Sequence, residues 1–297
     1  MSAARQGILW AVGAYGLWGV LPVYWKALQS VPAPQILAHR ILWSFVLLGA
    51  LMFLRREWRE LRSTTNGRTL GIYGIAATVL SVNWLTYIWA VNAGRIVETS
   101  LGYFINPLVS VLLGVVCLRE RLRRAQWLAV GVAALGVSYL TWRHGTVPWV
   151  ALVLAGSFAL YGFLKKQAPL GALHGLTLET AMLWVPAVAF LGWQEAQGVG
   201  RLGHSMLVTN LLLVLTGLVT ATPLLLFAAA ARRISLSTIG LLQYLAPTCQ
   251  LAIGVWVYRE PFDRARLVGF MLIWTALALY TLEGLWRRRG AGTDTSG

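Results

Sequence analysis

Apolar residues fill long runs of this chain, and polar residues gather in short clusters between them. A helix needs about 20 mostly apolar residues to cross a bilayer. Ten runs reach or approach that length: 8–28, 35–54, 70–92, 98–118, 126–142, 147–164, 174–193, 207–231, 235–257 and 266–286. In hydrocarbon, backbone groups must be paired within the segment, so an open chain crosses as helices. The pattern therefore predicts an all-α polytopic membrane protein with ten transmembrane helices. The connecting clusters are too short for a soluble domain. Only Arg5 precedes the first run with charge, and no small-residue cleavage site follows at the right distance. That run is expected to be a signal anchor and first span.

Composition supports this class. Hydrophobic residues make up 58% of the 297 and charged residues 12%, where a soluble domain carries about 25% charged residues. The net charge of +15 does not point to nucleic acid, because the basic residues are short clusters between apolar runs. Their distribution sets orientation instead. With the N-terminus inside, 17 of the 25 Lys and Arg fall on the inner side and eight on the outer. Both termini are then expected to be cytoplasmic. Cys117 and Cys249 lie in apolar runs with no CxxC spacing, which suggests small core residues and no metal or disulfide framework.

The chain also repeats itself at a shift of about 140 residues. LGYFINPLVSVLLGVVCLRER (101–121) lies over LLQYLAPTCQLAIGVWVYREP (241–261), with Pro107 on Pro247 and Arg119-Glu120 on Arg259-Glu260. WAVNAGRI (89–96) lies over FAAAARRI (227–234), Trp43 over Trp184, and LWG (17–19) over LYG (160–162). Each half holds five predicted spans, and an odd number gives the halves opposite orientations. The expected organisation is two inverted five-helix repeats, 1–144 and 145–288, followed by a disordered cytoplasmic tail at 289–297. Inverted repeats are a common construction of secondary transporters, with the substrate site near the midplane between halves.

Several stretches carry a resemblance to a known family: LPVYWKALQSVPAPQILAHRILWS (21–44), NWLTYIWAVNAGRIVETSLGYFINPL (83–108), RERLRRAQWLAVGVAALGV (119–137), LTLETAMLWVP (176–186) and LLQYLAPT (241–248). In these the chain resembles the RarD permeases of the drug/metabolite transporter superfamily, which have two EamA-type halves. The resemblance covers nearly the whole chain. It implies a ten-helix permease of the bacterial inner (plasma) membrane, exporting more readily than importing. RarD proteins are associated with chloramphenicol sensitivity by name, and no substrate is carried over from them.

Candidate site residues come from polar groups inside the spans. Thr99, Tyr103, Asn106 and Ser110 follow at steps of 4, 3 and 4 on one helical face. The repeat maps Tyr103 to Gln243 and Ser110 to Gln250, so both halves show a polar face beside a midspan proline. Pro107 and Pro247 each free a carbonyl one turn earlier. The bland reading is interhelical hydrogen bonding, worth about 1 kcal/mol each; the functional one is a cavity wall. Asn83 and Tyr87 in span 3, Trp18 in span 1 and its repeat partner Tyr161 join that wall.

His39 and Arg40 lie inside span 2, with Arg40 roughly 9 Å along its helix. A cation there is disfavoured by hydrocarbon and by the nearby helix N-terminus. Its repeat counterpart is Ala181, so the fold does not require the charge. Both residues are expected to line the outer part of a pathway, for a substrate with an anionic or hydrogen-bond-accepting group. Glu179 and Glu98 are candidates for proton coupling, although a carboxylate near a helix N-terminus is already stabilised there. Glu120 and Glu260, in Arg-Glu pairs, are expected to form local salt bridges.

The reading is a secondary transporter for a small organic metabolite or drug-like solute, working by alternating access in the lipid bilayer, without cofactor or metal. Proton coupling and a homodimer are compatible with it. No Walker motif is present to drive it with ATP. A flippase for an amphipathic lipid precursor is the main alternative. A membrane enzyme is disfavoured: the only aspartates are Asp263 and Asp294, and HExxH and GxSxG motifs are absent.

Overall fold

A computed structural model describes residues 2–118, 124–231, 233–234 and 242–291. Among them are eleven α-helices and no strand. They are α1 (Ala3–Ala27), α2 (Ala33–Leu54), α3 (Trp58–Thr64), α4 (Gly67–Asn92), α5 (Ile96–Leu118), α6 (Arg124–His144), α7 (Trp149–Gln167), α8 (Ala172–Ala196), α9 (Leu207–Ala231), α10 (Leu245–Ala252) and α11 (Arg264–Ala291). Seven of these are long and apolar enough to cross a membrane, and Trp149–Lys165 and Leu245–Val257 are shorter apolar helices. The chain is an all-helical polytopic membrane protein.

Each predicted span coincides with a helix to within a few residues, with three departures. The ninth was expected from 235, but 235–241 lie outside the described residues and the described helix begins at Leu245. It ends in a π-helical turn, Ile253–Val257. The expected tail starts too early, because α11 continues through Ala291. The connection after span 2 is not all loop: Trp58–Thr64 forms the short α3.

Local chemistry fixes the helix ends. The Ser2 side chain accepts from Arg5 N at 3.3 Å to cap α1, and Asn66 Oδ1 accepts from Thr69 N at 2.9 Å to cap α4. After α4, Gly94 takes φ +71° while Arg95 N donates to Ala90 O and Gly94 N to Val91 O. This is the Schellman pattern, in which a left-handed residue lets the chain bond back on the last turn. The same bonds close α2, but with Arg56 at φ 58° in place of a glycine.

The packing pairs helices from different parts of the chain. α5 lies on α7 and α4 on α7, while α10 lies on α1 and α9 on α1. α2 contacts α8 and α9; α5 contacts α10, and α6 packs along α11. Small residues permit the closest of these contacts. A Cβ on Gly102 would lie 2.8 Å from Ala151 O, and one on Gly217 would strike the Trp43 carbonyl. Such small-residue contacts let membrane helices gain dispersion energy where water exclusion gives none.

The two ends of the bundle can be told apart by their contacts. The beginning of α1 meets the end of α9 through Gly7, Arg233 and Ile234. At the opposite, far end Glu260 bonds the start of α5: its carboxylate accepts from Ile96 N at 2.7 Å and Val97 N at 2.8 Å. Glu260 is buried, so the expected local salt bridge is replaced by a helix cap contributed from the other half of the chain. The physical reason is that two unpaired amide groups and the positive helix end lie within its reach. Glu120 and Arg119 lie outside the described residues. Substituting Glu260→Ala should lower stability by about 1–2 kcal/mol, and Glu260→Gln, which keeps one acceptor, by less. Thermal melts of the two variants in the same detergent check this.

Candidate functional site

α2 starts at Pro32-Ala33-Pro34, which sets the first turn without needing its amide donors. Two turns on, Arg40 points into the bundle and is only 4% exposed. Its guanidinium carbon lies 3.8 Å from the ring centroid of Trp84 on α4 and 5.1 Å from that of Trp25 on α1. Tyr24 of α1, Tyr87 of α4 and Tyr103 of α5 are close enough to interact with it electrostatically. Tyr87 and Tyr103 stack edge to face at 5.8 Å. The Tyr24 hydroxyl donates to the Leu212 carbonyl of α9.

Five aromatic rings from three helices thus surround one cation. No described carboxylate pairs with it. Arg40 Nε, Trp25 Nε1 and the Tyr87 hydroxyl are all buried without a hydrogen-bond partner. Ring faces compensate a desolvated cation by about 2 kcal/mol, less than its cost of about 2.5–3.5 kcal/mol at the membrane centre. The unpaired groups are all donors, so the complement they lack is an acceptor, best an anionic one.

His39 does not share this site. One residue along the helix is about 100° around it, and His39 faces α8. There it lines a cavity of about 290 Å³ with Gln35, Leu42, Leu191, Glu195 and Arg201. The other sequence candidates divide into three groups. Tyr87 and Tyr103 belong to the box around Arg40. Asn83 is a staple, donating to Leu154 O at 3.1 Å and Ser157 Oγ at 2.9 Å of α7. Trp18 packs against Tyr15 and Phe227, and its carbonyl accepts from Gln250 Nε2 at 3.1 Å. Gln243 sits half-buried in the turn before α10.

On the polar stripe of α5, Thr99 and Ser110 donate to carbonyls of their own helix. Asn106 Oδ1 is buried without a partner. Glu98 accepts from Val150 N at 3.1 Å and lies 3.5 Å from Arg95, at the edge of a far-end cavity of about 360 Å³ that also holds Glu260, Trp149 and Arg266.

Tyr161 and Glu179 form a second polar centre. Glu179, 1% exposed, accepts from Lys165 Nζ at 2.9 Å and from the Tyr161 hydroxyl at 3.1 Å. An aromatic track links it to the Arg40 box: Tyr103 to Phe158 at 6.1 Å, and Phe158 to Tyr161 at 6.2 Å. Sequence reasoning missed Trp25, Trp84, Tyr24 and Lys165. Trp84 was within reach of it, being three residues before Tyr87 on one helical face. Lys165 was read only as a loop-end charge.

Because Arg40 has no carboxylate to orphan, Arg40→Met should keep stability unchanged or raise it by about 1–2 kcal/mol, the difference between insertion cost and cation–π gain. Thermal melts of the purified variant check this. A melt lowered by more than about 1 kcal/mol would make Arg40 a structural anchor.

Residues 5–142 match the model of the EamA-like transporter family. Protein RarD of Streptomyces exfoliatus is 48% identical over 282 residues, covering 95% of this chain and 90% of that protein. The uncharacterized transporter YojE of Bacillus subtilis (strain 168) is 46% identical over 293 residues, covering 96% of each. A crystal structure described only as that of a protein aligns with a TM-score of 0.58 at 19% identity, over 93% of this chain and 96% of that one; it bears on the fold alone. With these relatives and its apolar helices, the chain is a bacterial multi-pass membrane protein of transporter type. It belongs to the EamA-like transporters, as a RarD-type permease of the drug/metabolite transporter superfamily.

Proposed function

We propose that the chain is a secondary transporter of the inner membrane that exports a small organic solute carrying an anionic group beside a flat ring. The single observation that supports this substrate class is Arg40: a buried cation, ringed by five aromatic side chains, without a counter-charge. The solute's carboxylate would pair with the guanidinium and accept from the unpaired donors around it. Its ring would lie among Trp25, Trp84, Tyr87 and Tyr103. A guanidinium suits this task because its planar donors match a carboxylate two at a time.

The two halves, 1–144 and 145–288, act as inverted five-helix units, and the solute is exposed to either side in turn. Exchange of the halves turns the pair α5–α7 into α10–α1, and α4–α7 into α9–α1, and both members of each pair are in contact. That correspondence supports a mechanism in which one packing arrangement opens as its counterpart closes. Both termini face the cytoplasm in this reading, and the site performs no bond-making chemistry.

Three indoles separate the charges that matter: indole-3-acetate, tryptophan and tryptamine. The carboxylate-bearing pair should raise the melting temperature of the purified protein, a ligand at 100 times its Kd adding about 2.7 kcal/mol. Tryptamine should not, and Arg40→Met should abolish both shifts. Shifts that survive Arg40→Met would move binding away from the box. An absence of any shift with the carboxylates, together with stabilisation by a lysophospholipid, would favour the flippase reading.

A further inference from the structure

Apart from Arg40, the charge held deepest in the bundle is Glu179, on α8. It begins two turns from the opposite end, where α1 starts. Its carboxylate is fully engaged by α7: Lys165 on one oxygen at 2.9 Å and Tyr161 on the other at 3.1 Å. The pair is unequally buried, with Glu179 1% exposed and Lys165 23% exposed. Water therefore reaches the carboxylate along the lysine.

The surroundings are built to hold that ammonium in more than one place. It lies 4.6 Å from the ring centroid of Tyr73 and 5.7 Å from that of Tyr161. Gly175, one turn before Glu179, leaves it room: a Cβ there would sit 2.7 Å from Lys165 Nζ and 2.8 Å from Tyr73 Cε1. Two ring faces and a glycine gap form a second seat for the cation beside its carboxylate.

We propose that Glu179 is the proton-binding group of the transport cycle, and that Lys165 is the internal cation that exchanges with the proton on its carboxylate. The proposal rests on the secondary-transporter reading above and supplies its coupling ion. In the step, a proton from water adds to a Glu179 oxygen, and the carboxylate becomes a neutral acid. The Lys165 ammonium keeps its protons and shifts onto the Tyr73 and Tyr161 rings. No other group changes charge. Intramembrane acids serve as proton sites elsewhere for the same reason, since hydrocarbon makes their charged form costly.

The other groups facing Glu179 are few. α4 contributes Tyr73, whose hydroxyl bonds the backbone of Leu170. On α8 itself Thr177 and Thr180 donate to their own helix carbonyls, and His174 is held by Glu57 at 2.9 Å. α2 carries His39 and Arg40, neither bonded to Glu179, and α9 has no titratable residue between Leu207 and Ala231. Tyr161 joins the proton site to the solute site, because it donates to Glu179 and ends the track through Phe158 to Tyr103. Protonation of its acceptor changes the bond that holds it.

Infrared difference spectroscopy of the full chain in liposomes tests the proton site without any solute. A pH step across neutrality should show the carbonyl stretch of one buried carboxylic acid. The band should vanish in Glu179→Gln and move in frequency in Tyr161→Phe, which keeps the acid but removes a donor to it. No such band in the native protein overturns the proposal, as does a band that Glu179→Gln leaves in place. If Glu179→Gln fails to fold, an unmoved band in Tyr161→Phe overturns it. Tryptophan uptake, which a pH gradient does not drive by simple permeation of a zwitterion, then reads coupling. It should respond several-fold to an imposed gradient in the native protein and not at all in Glu179→Gln; an equal response in both overturns the proposal. If tryptophan neither binds nor moves, the solute reading of Arg40 fails, while the infrared band still decides Glu179.

Discussion

A charge in hydrocarbon must be answered, and that one constraint organises this protein. Nearly all charged residues are kept to helix ends and connections. Two are carried well inside, and the fold treats them differently. Glu179 is given a cation and a phenol. Arg40 is given five rings and no counter-ion. A structural charge would be paired like the first, because an unanswered one costs stability. The incomplete solvation of Arg40 is therefore the clearest mark of function in the molecule.

The rest of the architecture serves to bring these groups together from distant parts of the chain. α2 supplies Arg40, α1 and α4 the indoles, and α5 and α7 the track that leads to α8. Close helix contacts make this possible. Gly102 against Ala151 draws α5 onto α7, and Gly217 against Trp43 draws α9 onto α2. Polar staples such as Asn83 to Ser157 then set rotation about each helix axis. Helix caps fasten the ends, including the one that Glu260 lends to α5.

Hydropathy alone made the spans legible, because lipid imposes a length on every crossing. The charges within them were legible too, since an arginine or glutamate stands out in an apolar run. What surrounds them was not. Trp25, Trp84 and Tyr24 reach Arg40 from helices far apart in sequence, and periodicity within one helix says nothing about rotation against another. For the same reason His39 and Arg40 looked like one site, though adjacent residues on a helix face different neighbours. Glu260 looked like a partner for Arg259 because local pairing is the simplest reading of neighbours. Its use as a cap depends on the start of α5 lying beside it. Lys165 was hidden by its position at a helix end, where a lysine is ordinarily solvated.

The π turn at Ile253–Val257 gives the far end a length that is counted in whole residues. A π turn carries one residue more than the α-helix around it needs. Here the surplus is followed by Tyr258 and by Arg259 in the left-handed region at φ 56°, and then by Glu260. A chain one residue shorter between 253 and 257 would wind as plain α-helix and turn everything after it by about 100°. Glu260 would then leave the start of α5, although no residue in contact with it had changed. Insertions and deletions in this stretch therefore act like substitutions of Glu260 itself, and drift in loop length is constrained here by a carboxylate's reach.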